Sequence, residues 1–523
     1  MFFRDIWNQQ LLKTKGSTTK MINIKITPAD FEYDVMSLIQ AFYPGEAFKM
    51  NKEEDSSDSD RAVSFSENNV HKQKIINSKD RELNVMFEHN NISVRYFDGD
   101  KDYSDDVTIV EDERRAVKNL LKKTLYNILS IATGKSLPWG NLTGIRPAKI
   151  PALMLENGIS ENEIRQVMKD TYLISDDKLE LGLTIAKREF NILKDINYTQ
   201  GYSIYIGIPF CPTTCLYCSF TSYPLGKYRE LTDKYIDALV YEIEKVSVIM
   251  HGREVNTVYI GGGTPTTLSA EQLGRLIKAI RNNFDLSTIV EFTVEAGRPD
   301  SITEDKLIVL LDNGVDRISI NPQTMNEETL KLIGRQHTVQ DVIDKFYLAR
   351  KVGFTNINMD IIIGLPEENE AKVIHTLEEI SKLNPDSLTV HSLAVKRAAR
   401  LNIQKEKYAN MKMVNTEELM AIADRYSKSM DMLPYYLYRQ KNMAGNLENV
   451  GYSRRGCEGI YNILMMGDKQ DVIAMGAGAT TKLMSEDRLS AVRVDNIKNI
   501  EQYIDRIDEM IERKREALAK RDI

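Results

Sequence analysis

The chain has 523 residues, of which 42% are hydrophobic and 28% are charged, and its formal net charge is −7. Single hydrophobic cores stop growing near roughly 250–300 residues, so this length excludes one core and predicts two or three domains. The negative net charge argues against general nucleic-acid affinity. The chain contains no apolar run that predicts a membrane span, and charged residues interrupt the N-terminus too early for a signal peptide. A cytoplasmic protein is therefore expected.

Residues 1–198 are predicted to form an N-terminal α+β and helical domain. Alternating apolar residues predict a strand from Met21, where translation could also start, and a helix over 31–42 follows. Residues 52–60 are too polar to pack and predict an exposed loop. The strands ELNVMFEH and ISVRYF predict a hairpin joined by Asn90 and Asn91, since Asn tolerates positive φ. From 112 to about 196 the pattern is helical, interrupted by LPWGNLTGIRP.

Residues 199–404 are predicted to form an α/β barrel. Six short apolar strands alternate with amphipathic helices: SIYIGIPF, NTVYIGGG, IVEFTVEAG, DRISINPQ, NINMDIIIGLP and DSLTVHSLA. This alternation is typical of a parallel sheet, and six units favour a partial (β/α)6 barrel over a closed eight-stranded one. In such barrels the chemistry lies at the C-terminal ends of the strands, which is where the motifs below fall.

Residues 405–523 are predicted to form a C-terminal α+β extension. The pattern indicates a helix over 416–430, an aromatic and Gly-rich passage, a small-residue turn (MGAGATT) and a final helix over 500–520.

Three of the four cysteines, Cys211, Cys215 and Cys218, lie within eight residues, directly after a predicted strand. Such clustering is typical of metal binding in a reducing compartment. Iron–sulfur clusters are usually held by four thiolates. This loop supplies three, so a [4Fe–4S] cluster would keep one iron open for S-adenosylmethionine (SAM), whose reductive cleavage gives a 5′-deoxyadenosyl radical. A structural zinc site and three unrelated buried thiols are the alternatives.

The segment Gly261-Gly262-Gly263-Thr264-Pro265 ends the second barrel strand. Three glycines let a backbone approach a ligand closely. Alone, the motif is also compatible with a tight βα turn or a phosphate loop. One strand away from the cysteines, its expected role is to hold the methionyl group of SAM.

The triplet, preceded by Tyr205 and IPF and followed by GGGTP, VEAGRPD, RISINPQ, GRQH and DIIIGLP, resembles the oxygen-independent coproporphyrinogen III oxidase family of radical SAM proteins. LTGIRPAKI and YYLYRQKNMAGN look like its HemZ branch. The resemblance, over about residues 200–400, implies a [4Fe–4S] cluster, one or two SAM molecules, and a tetrapyrrole substrate. It also implies decarboxylation of two propionates to vinyls in heme biosynthesis, giving protoporphyrinogen IX, with an electron donor and acceptor that the sequence does not identify.

The family's motifs also imply roles for single residues. Positions that match contacts to the cluster-bound SAM are Tyr205, Tyr217, Gly262, Glu295 and Ala394; Tyr205 is also expected to take part in catalysis. Positions that match a second SAM site are Gly263, Thr264, Gln323, Arg335 and Asp360. A capping role for Glu295 and a buried ion pair for Asp360 are the alternatives. Candidate cations for the substrate carboxylates, or simply a solvated basic surface, are Lys396, Arg397, Arg400, Arg439 and Lys441.

Two positions depart from the oxidase pattern. Gly207 stands where the oxidase has a histidine, and Phe220 stands where it has a further cysteine. Neither position is a cluster ligand. Both leave open a heme-trafficking protein of the same family, or a radical SAM methyltransferase that modifies heme, as alternative functions.

Overall fold

Residues 21–50, 81–144, 146–220, 222–396, 398–404, 406–408, 411–440, 447–488 and 490–520 are described by a computed structural model. They form two compact units, one within 1–144 and 160–180 and the other within 145–159 and 181–523. The polar segment over 52–60 lies outside the described residues, as do Arg397 and Lys441. The three domain ranges given above stay predictions. None of the described helices is both long and apolar enough to cross a membrane.

The first unit is built on a five-stranded sheet in the order β2-β1-β3-β4-β5, in which β1 runs parallel to β2 and β3. The predicted first strand is confirmed: its three isoleucines are buried, and they alternate with half-buried residues. The predicted helix is also confirmed. The elements are β1 (Met21–Thr27), α1 (Glu32–Phe42), β2 (Ala47–Met50), β3 (Arg81–Glu88), β4 (Asn91–Phe97), β5 (Asp102–Thr108) and α2 (Arg114–Thr133).

The predicted hairpin is confirmed, but its turn lies one residue earlier than expected. His89 and Asn90 form the turn, and Asn91 already pairs with Glu88 at the start of β4. His89 takes the positive φ of 51° that was expected of an asparagine. Because cross-strand packing sets the register, Ile92, Val94 and Tyr96 face the core.

The helical stretch predicted up to about residue 196 is confirmed, with its interruption. After α2 come three helices: α3 (Lys149–Glu156), α4 (Glu161–Asp170) and α5 (Asp176–Leu193). Ser160 and Glu163 form a capping box at the start of α4, which satisfies two backbone N–H groups that the helix itself leaves unpaired.

The six predicted βα strands all lie in one open sheet of eleven strands, which confirms the partial barrel. Each runs parallel to its neighbour, in the order β6-β9-β10-β11-β12-β13. The strands are β6 (Tyr202–Ile208), β7 (Phe210–Cys211), β8 (Tyr223–Pro224), β9 (Val255–Gly262), β10 (Glu291–Gly297), β11 (Arg317–Ile320), β12 (Asn356–Ile363) and β13 (Ser387–Ser392). The short β7 and β8 form a separate pair.

Amphipathic helices cover the outside of this sheet. In the helix that follows β9, the residues Leu273, Leu276, Ile277 and Ile280 are buried, a spacing that places them on one face. Capping boxes start two of the helices, at Ser269 and Thr338. The helices are α6 (Leu225–Tyr228), α7 (Thr232–Ile249), α8 (Ala270–Asn283), α9 (Glu304–Asp312), α10 (Glu327–Leu332), α11 (Val339–Val352), α12 (Glu370–Leu383) and α13 (Arg400–Ile403).

The C-terminal segment extends the barrel sheet at both edges. β15 pairs antiparallel with β13, and β16 pairs parallel with β6, so a seventh parallel strand stands beside the first. The predicted helix over 416–430 is confirmed. The elements are α14 (Glu417–Ser429), β14 (Leu433–Tyr438), β15 (Asn449–Ser453), α15 (Ile460–Met466), β16 (Asp471–Met475), β17 (Thr480–Met484), β18 (Ala491–Asp495), α16 (Ile500–Asp505) and α17 (Ile507–Ala519).

The prediction of one final helix over 500–520 is wrong, because the helix breaks at Arg506, where φ is −119° and ψ is 32°. Tyr503 and Lys514 bond to the two carboxylate oxygens of the buried Glu242, at 2.6 and 2.7 Å. On a straight helix, eleven residues would separate them by about 16 Å along the axis. The break lets both side chains reach the same carboxylate.

Candidate active site

The three clustered cysteines lie at the C-terminal end of β6, as expected. Cys211 ends β7 and is buried together with Cys215, whereas Cys218 is partly exposed; none of the three is in a disulfide. The loop between them is braced from the neighbouring strand ends. Arg298 donates hydrogen bonds to the carbonyl oxygen (3.1 Å) and the hydroxyl (2.7 Å) of Thr213. The position of the loop is therefore set by the barrel.

The thiols form an electrostatically demanding group. The pKa of Cys211 is raised to about 11, mainly by burial and also by the nearby Cys218 and Cys215, against the effect of the Thr264 hydroxyl, which donates to Cys211 Sγ at 3.6 Å and lowers it. Burial likewise raises the pKa of Cys218. Thiolates are the metal-ligating form, so three of them at this place require a cationic partner such as an iron cluster.

The number of donors in the loop fits a cluster. Cys211, Cys215 and Cys218 are three thiols on one short loop, with no fourth Cys or His among its residues. A structural zinc site takes four protein ligands. In a [4Fe–4S] cluster each thiolate binds a different iron, so three thiolates leave one iron open. The donor set of this loop therefore fits the [4Fe–4S] cluster expected from the sequence.

The glycine-rich segment packs directly on the cysteine loop. The backbone N–H of Gly263 donates to the carbonyl of Ile208, and that of Thr264 donates to the carbonyl of Phe210, both at 2.7 Å. A Cβ at position 263 would lie 2.5 Å from the Phe210 oxygen and 3.0 Å from Cys211 Sγ. Only glycine allows this approach, so the segment shapes the wall of the cysteine site.

Three tyrosines stack inside the barrel below the cysteines. Tyr205 and Tyr259 are paired on adjacent strands, and their ring centroids lie 6.3 Å apart with nearly parallel planes. Tyr461, from α15, stacks on Tyr259 at 4.5 Å. The sequence analysis identified Tyr205 but missed the other two. Strand parity could have indicated Tyr259, but no local signal indicated Tyr461.

Glu295 lies in the barrel interior, which removes the alternative of a surface or capping role. It accepts a hydrogen bond from the Tyr259 hydroxyl at 2.5 Å. Burial raises the pKa of Glu295 to about 7, the hydrogen bond from Tyr259 opposes this, and the charge of Asp360 adds to it. A carboxylate so placed can accept hydrogen bonds from a ligand's hydroxyl or amino groups.

Arg335 and Tyr217 form the side of the site that faces the cysteine loop. One guanidinium nitrogen of Arg335 donates to the carbonyl of Asn321 at 2.6 Å, and another lies 3.4 Å from the Tyr217 hydroxyl. Both residues were expected from the family's motifs. The structure brings them together: Arg335 lies in the loop between α10 and α11, and Tyr217 lies in the cysteine loop.

Gln323, just after the end of β11, lies beside Asp360 in the middle of β12. Gln323 has a positive φ of 68°, and its backbone bonds to Asp360 and Ile362 on β12. The Asp360 carboxylate accepts a hydrogen bond from Asn358 at 2.7 Å and lies 3.6 Å from His391 Nε2. Burial raises the pKa of Asp360, but the contacts with His391 and Asn358 outweigh it and hold the pKa below its usual value. The side chain near the second carboxylate oxygen of Asp360 is therefore a partly exposed histidine, which the sequence analysis missed.

Within the part of the chain that the structure describes, several buried polar atoms of this interior have no hydrogen-bond partner. They are Ser319 Oγ, Asn321 Oδ1 and Arg335 Nε. Buried polar groups are nearly always paired, so a group of unpaired ones is typical of a site that a polar ligand completes. The residues present therefore fit a zwitterionic ligand such as SAM.

The rim outside the cysteines is basic and partly apolar. Ala394 is half-buried just after β13, while Lys396 and Arg400 are exposed. The Lys396 ammonium lies 5.5 Å from the ring centroid of Phe220, whose side chain is 68% exposed. Arg439, in contrast, is buried, and burial lowers its pKa to about 10. Among the candidate cations described, only Lys396 and Arg400 are open to solvent.

Comparison with known proteins agrees with this geometry. Residues 205–380 match the model of the Radical SAM superfamily. The chain is 43% identical, over 79% of its length and 83% of the relative's, to the oxygen-independent coproporphyrinogen-III oxidase-like protein HemZ of Bacillus subtilis. It is 32% identical to the heme chaperone HemW of Lactococcus lactis, over 58% and 73% of the two chains.

Among solved structures, coproporphyrinogen III oxidase (HemN) from Escherichia coli aligns with a TM-score of 0.47 and 24% identity, covering 62% of this chain and 72% of that one. The relationship to HemZ, which spans most of both chains, decides the family. The chain belongs to the HemZ-like branch of the radical SAM family of oxygen-independent coproporphyrinogen III oxidase-like proteins, which use a [4Fe–4S] cluster and SAM.

Proposed function

We propose that the chain is an oxidoreductase that decarboxylates two propionates of coproporphyrinogen III to vinyls, giving protoporphyrinogen IX in cytoplasmic heme biosynthesis. The observation that carries the proposal is the rim: the exposed Lys396 stands beside the exposed ring of Phe220, two residues after Cys218, and the exposed Arg400 lies 3.4 Å from the Thr214 carbonyl of the cysteine loop. A tetrapyrrole with several carboxylates offers both an apolar face and negative charges, which such a surface can bind.

The proposed roles follow the geometry of the barrel. Cys211, Cys215 and Cys218 hold three irons and leave the fourth for SAM. Glu295 and Tyr205 form the floor of the proposed SAM site, and the backbone of Gly262 and Gly263 forms one of its sides. Residues assigned to the cluster-bound SAM are Tyr205, Tyr217, Gly262, Glu295 and Ala394. Residues assigned to a second SAM are Gly263, Thr264, Gln323, Arg335 and Asp360.

When held by Cys211, Cys215 and Cys218, the cluster with SAM would supply a carbon-centred radical able to take a hydrogen atom from the β-carbon of a propionate. The propionate then loses CO2 and one electron to become a vinyl group, and the electron passes to an acceptor that is not yet identified. The chain's own residues orient the substrate and exclude water. Arg335 and Asp360, fixed by Asn321 and Asn358, are pre-organised to hold the second SAM.

A heme-trafficking function is the second candidate. It is supported by the identity with the heme chaperone HemW and by the two departures from the oxidase pattern. At position 220 an exposed phenylalanine ring stands where the oxidase pattern has a cysteine. Gly207 leaves room next to Tyr205: a Cβ there would meet Tyr205 and Ala479 at 3.5 and 3.6 Å, which are ordinary contacts.

One experiment separates these functions. The reconstituted protein is incubated anaerobically with coproporphyrinogen III, dithionite and excess SAM, and the porphyrins and CO2 are measured; Cys215→Ala is the matched control. Divinyl product with two CO2 per tetrapyrrole, absent in Cys215→Ala, is the expected result. Unchanged coproporphyrinogen with only uncoupled SAM cleavage, together with stable uptake of heme added to the same protein, would favour the carrier, and a methylated tetrapyrrole would favour a methyltransferase.

A further inference from the structure

His391 stands at the top of a polar column on β13. Ser387 and Thr389, four and two residues earlier, face the barrel interior, where both donate hydrogen bonds to Asn358 Oδ1 at 3.1 and 3.2 Å. Strand residues two apart share a face, so His391 faces the interior as well. Ser387 and Thr389 are buried, whereas 27% of the His391 side chain is exposed. The imidazole therefore lies at the rim, where the interior opens to solvent.

Two groups hold the ring without satisfying it. Nε2 lies 3.6 Å from Asp360 Oδ2, and Nδ1 lies 3.5 Å from the Tyr438 hydroxyl. Both distances exceed the 2.7–3.2 Å of a good N–H···O hydrogen bond. A small movement of the ring would therefore bring it within hydrogen-bond distance of a ligand. Asp360 stays in place during this movement, because Asn358 donates to its other carboxylate oxygen.

The chemistry of this arrangement favours a carboxylate ligand. A doubly protonated imidazole donates from both nitrogens. With Asp360 accepting from Nε2, the second donor at Nδ1 is left for a ligand, and the Tyr438 hydroxyl lies 3.5 Å from it. The exposed Lys396 and Arg400 follow β13 in the chain and add positive charge.

We propose that His391 binds one carboxylate of the substrate, donating from Nδ1 while Asp360 accepts from Nε2. This assignment rests on the proposed function, since it takes a tetrapyrrole with free propionates as the substrate. It makes His391 a determinant of specificity for acidic over esterified tetrapyrroles. Tyr438 supplies a second, neutral hydrogen bond to the same carboxylate.

The test uses the reconstituted holoprotein with SAM and measures binding of coproporphyrin III and of its tetramethyl ester by fluorescence. His391→Leu is expected to weaken binding of the acid at least about tenfold, as loss of one charged hydrogen bond does, and to leave the ester unchanged. His391→Gln and Tyr438→Phe are expected to lose less. The exposed histidine of α12, as His375→Leu, is the matched control and is expected to bind as the wild type does.

The outcomes separate the two levels of the proposal. If the wild type binds neither porphyrin, the proposed function falls and this assignment falls with it. If the wild type binds the acid and His391→Leu binds it equally well, only the assignment of His391 is overturned. The assignment is also overturned if His391 only positions Asp360. In that case His391→Leu would bind SAM more weakly, and its affinities for the acid and for the ester would change by the same factor. Unchanged iron content shows that the variant is folded.

Discussion

The Tyr259 hydroxyl donates to Glu295 Oε1 across 2.5 Å, linking the second and third barrel strands at the level of the tyrosine stack. With a pKa raised to about 7 by burial, the Glu295 carboxyl is about half ionised at neutral pH. Tyr259 favours the ionised form, because it donates to it. The hydrogen bond between Tyr259 and Glu295 therefore influences what fraction of Glu295 is ionised, and able to accept hydrogen bonds from a ligand, near pH 7.

Tyr259→Phe is expected to raise the pKa of Glu295 above about 7. In the wild type, SAM affinity should increase as pH rises through about 7, because the carboxylate is the better acceptor; in the variant this increase should move to higher pH. Equilibrium dialysis of SAM against the reconstituted protein between pH 6 and 8.5 measures both curves. Tyr347→Phe, at an exposed position on α11, is the control. Superimposable curves would contradict the role of the hydrogen bond.

Gly263→Ala is expected to reduce cluster content. The added Cβ would lie 2.5 Å from the Phe210 carbonyl oxygen and 3.0 Å from Cys211 Sγ, so the cysteine loop or the glycine loop has to shift. Iron and sulfide per chain after reconstitution give the readout. The matched control is Gly226→Ala, where a Cβ meets nothing within 4 Å. Full cluster content in Gly263→Ala would show that the close approach is dispensable.

Lys514→Met is expected to destabilise the protein strongly. Lys514 Nζ lies 2.7 Å from Glu242 Oε1, and both side chains are almost completely buried. Removing one partner of a buried pair leaves an uncompensated charge and costs about 3–5 kcal/mol, whereas replacing both partners by apolar residues costs much less. Thermal unfolding should therefore show a large loss for Lys514→Met and partial recovery for the double variant Glu242→Leu, Lys514→Met. Lys278→Met, on the exposed face of α8, is the control.

His337 is expected to destabilise the fold in acid. Both ring nitrogens are buried without a hydrogen-bond partner, and burial, together with Arg335, lowers the pKa to about 4. The folded state then binds fewer protons than the unfolded state between about pH 6.5 and 4, so stability falls as pH decreases through this range. The contribution at pH 5 relative to pH 7 is at most about 2 kcal/mol.

Denaturant unfolding of the wild type and of His337→Gln at pH 7 and pH 5 tests this. Whatever the stability of the variant at pH 7, its loss of stability between pH 7 and pH 5 should be smaller than that of the wild type. His375→Gln, which changes an exposed histidine, should lose as much as the wild type. Equal losses in all three proteins would contradict a neutral buried His337.

The strands, most helices and the cysteine site could be predicted because their signals are local. A period of two or 3.6 residues reports which face is buried, and the three cysteines lie on a single loop. The turn at His89 was misplaced by one residue because cross-strand packing, not the preference of Asn for positive φ, sets the register. The break at Arg506 was missed because its cause, the carboxylate of Glu242, lies more than 260 residues away.

The missed parts of the site have the same origin. Tyr461 reaches Tyr259 from α15, about 200 residues later in the chain, and the approach of His391 to Asp360 depends on how β12 and β13 are aligned. The parallel pairing of β16 with β6 joins the two ends of the second unit. Such contacts follow from tertiary packing, which no short sequence pattern encodes.

The central claim is that three thiolates leave one iron of the cluster free to bind SAM. Electron paramagnetic resonance of the reduced, reconstituted protein, recorded with and without SAM, tests it most directly. We expect a [4Fe–4S]⁺ signal that changes when SAM is added and that is lost in Cys215→Ala. A signal unaffected by saturating SAM, or a protein that takes up one zinc ion and no cluster, would contradict the claim.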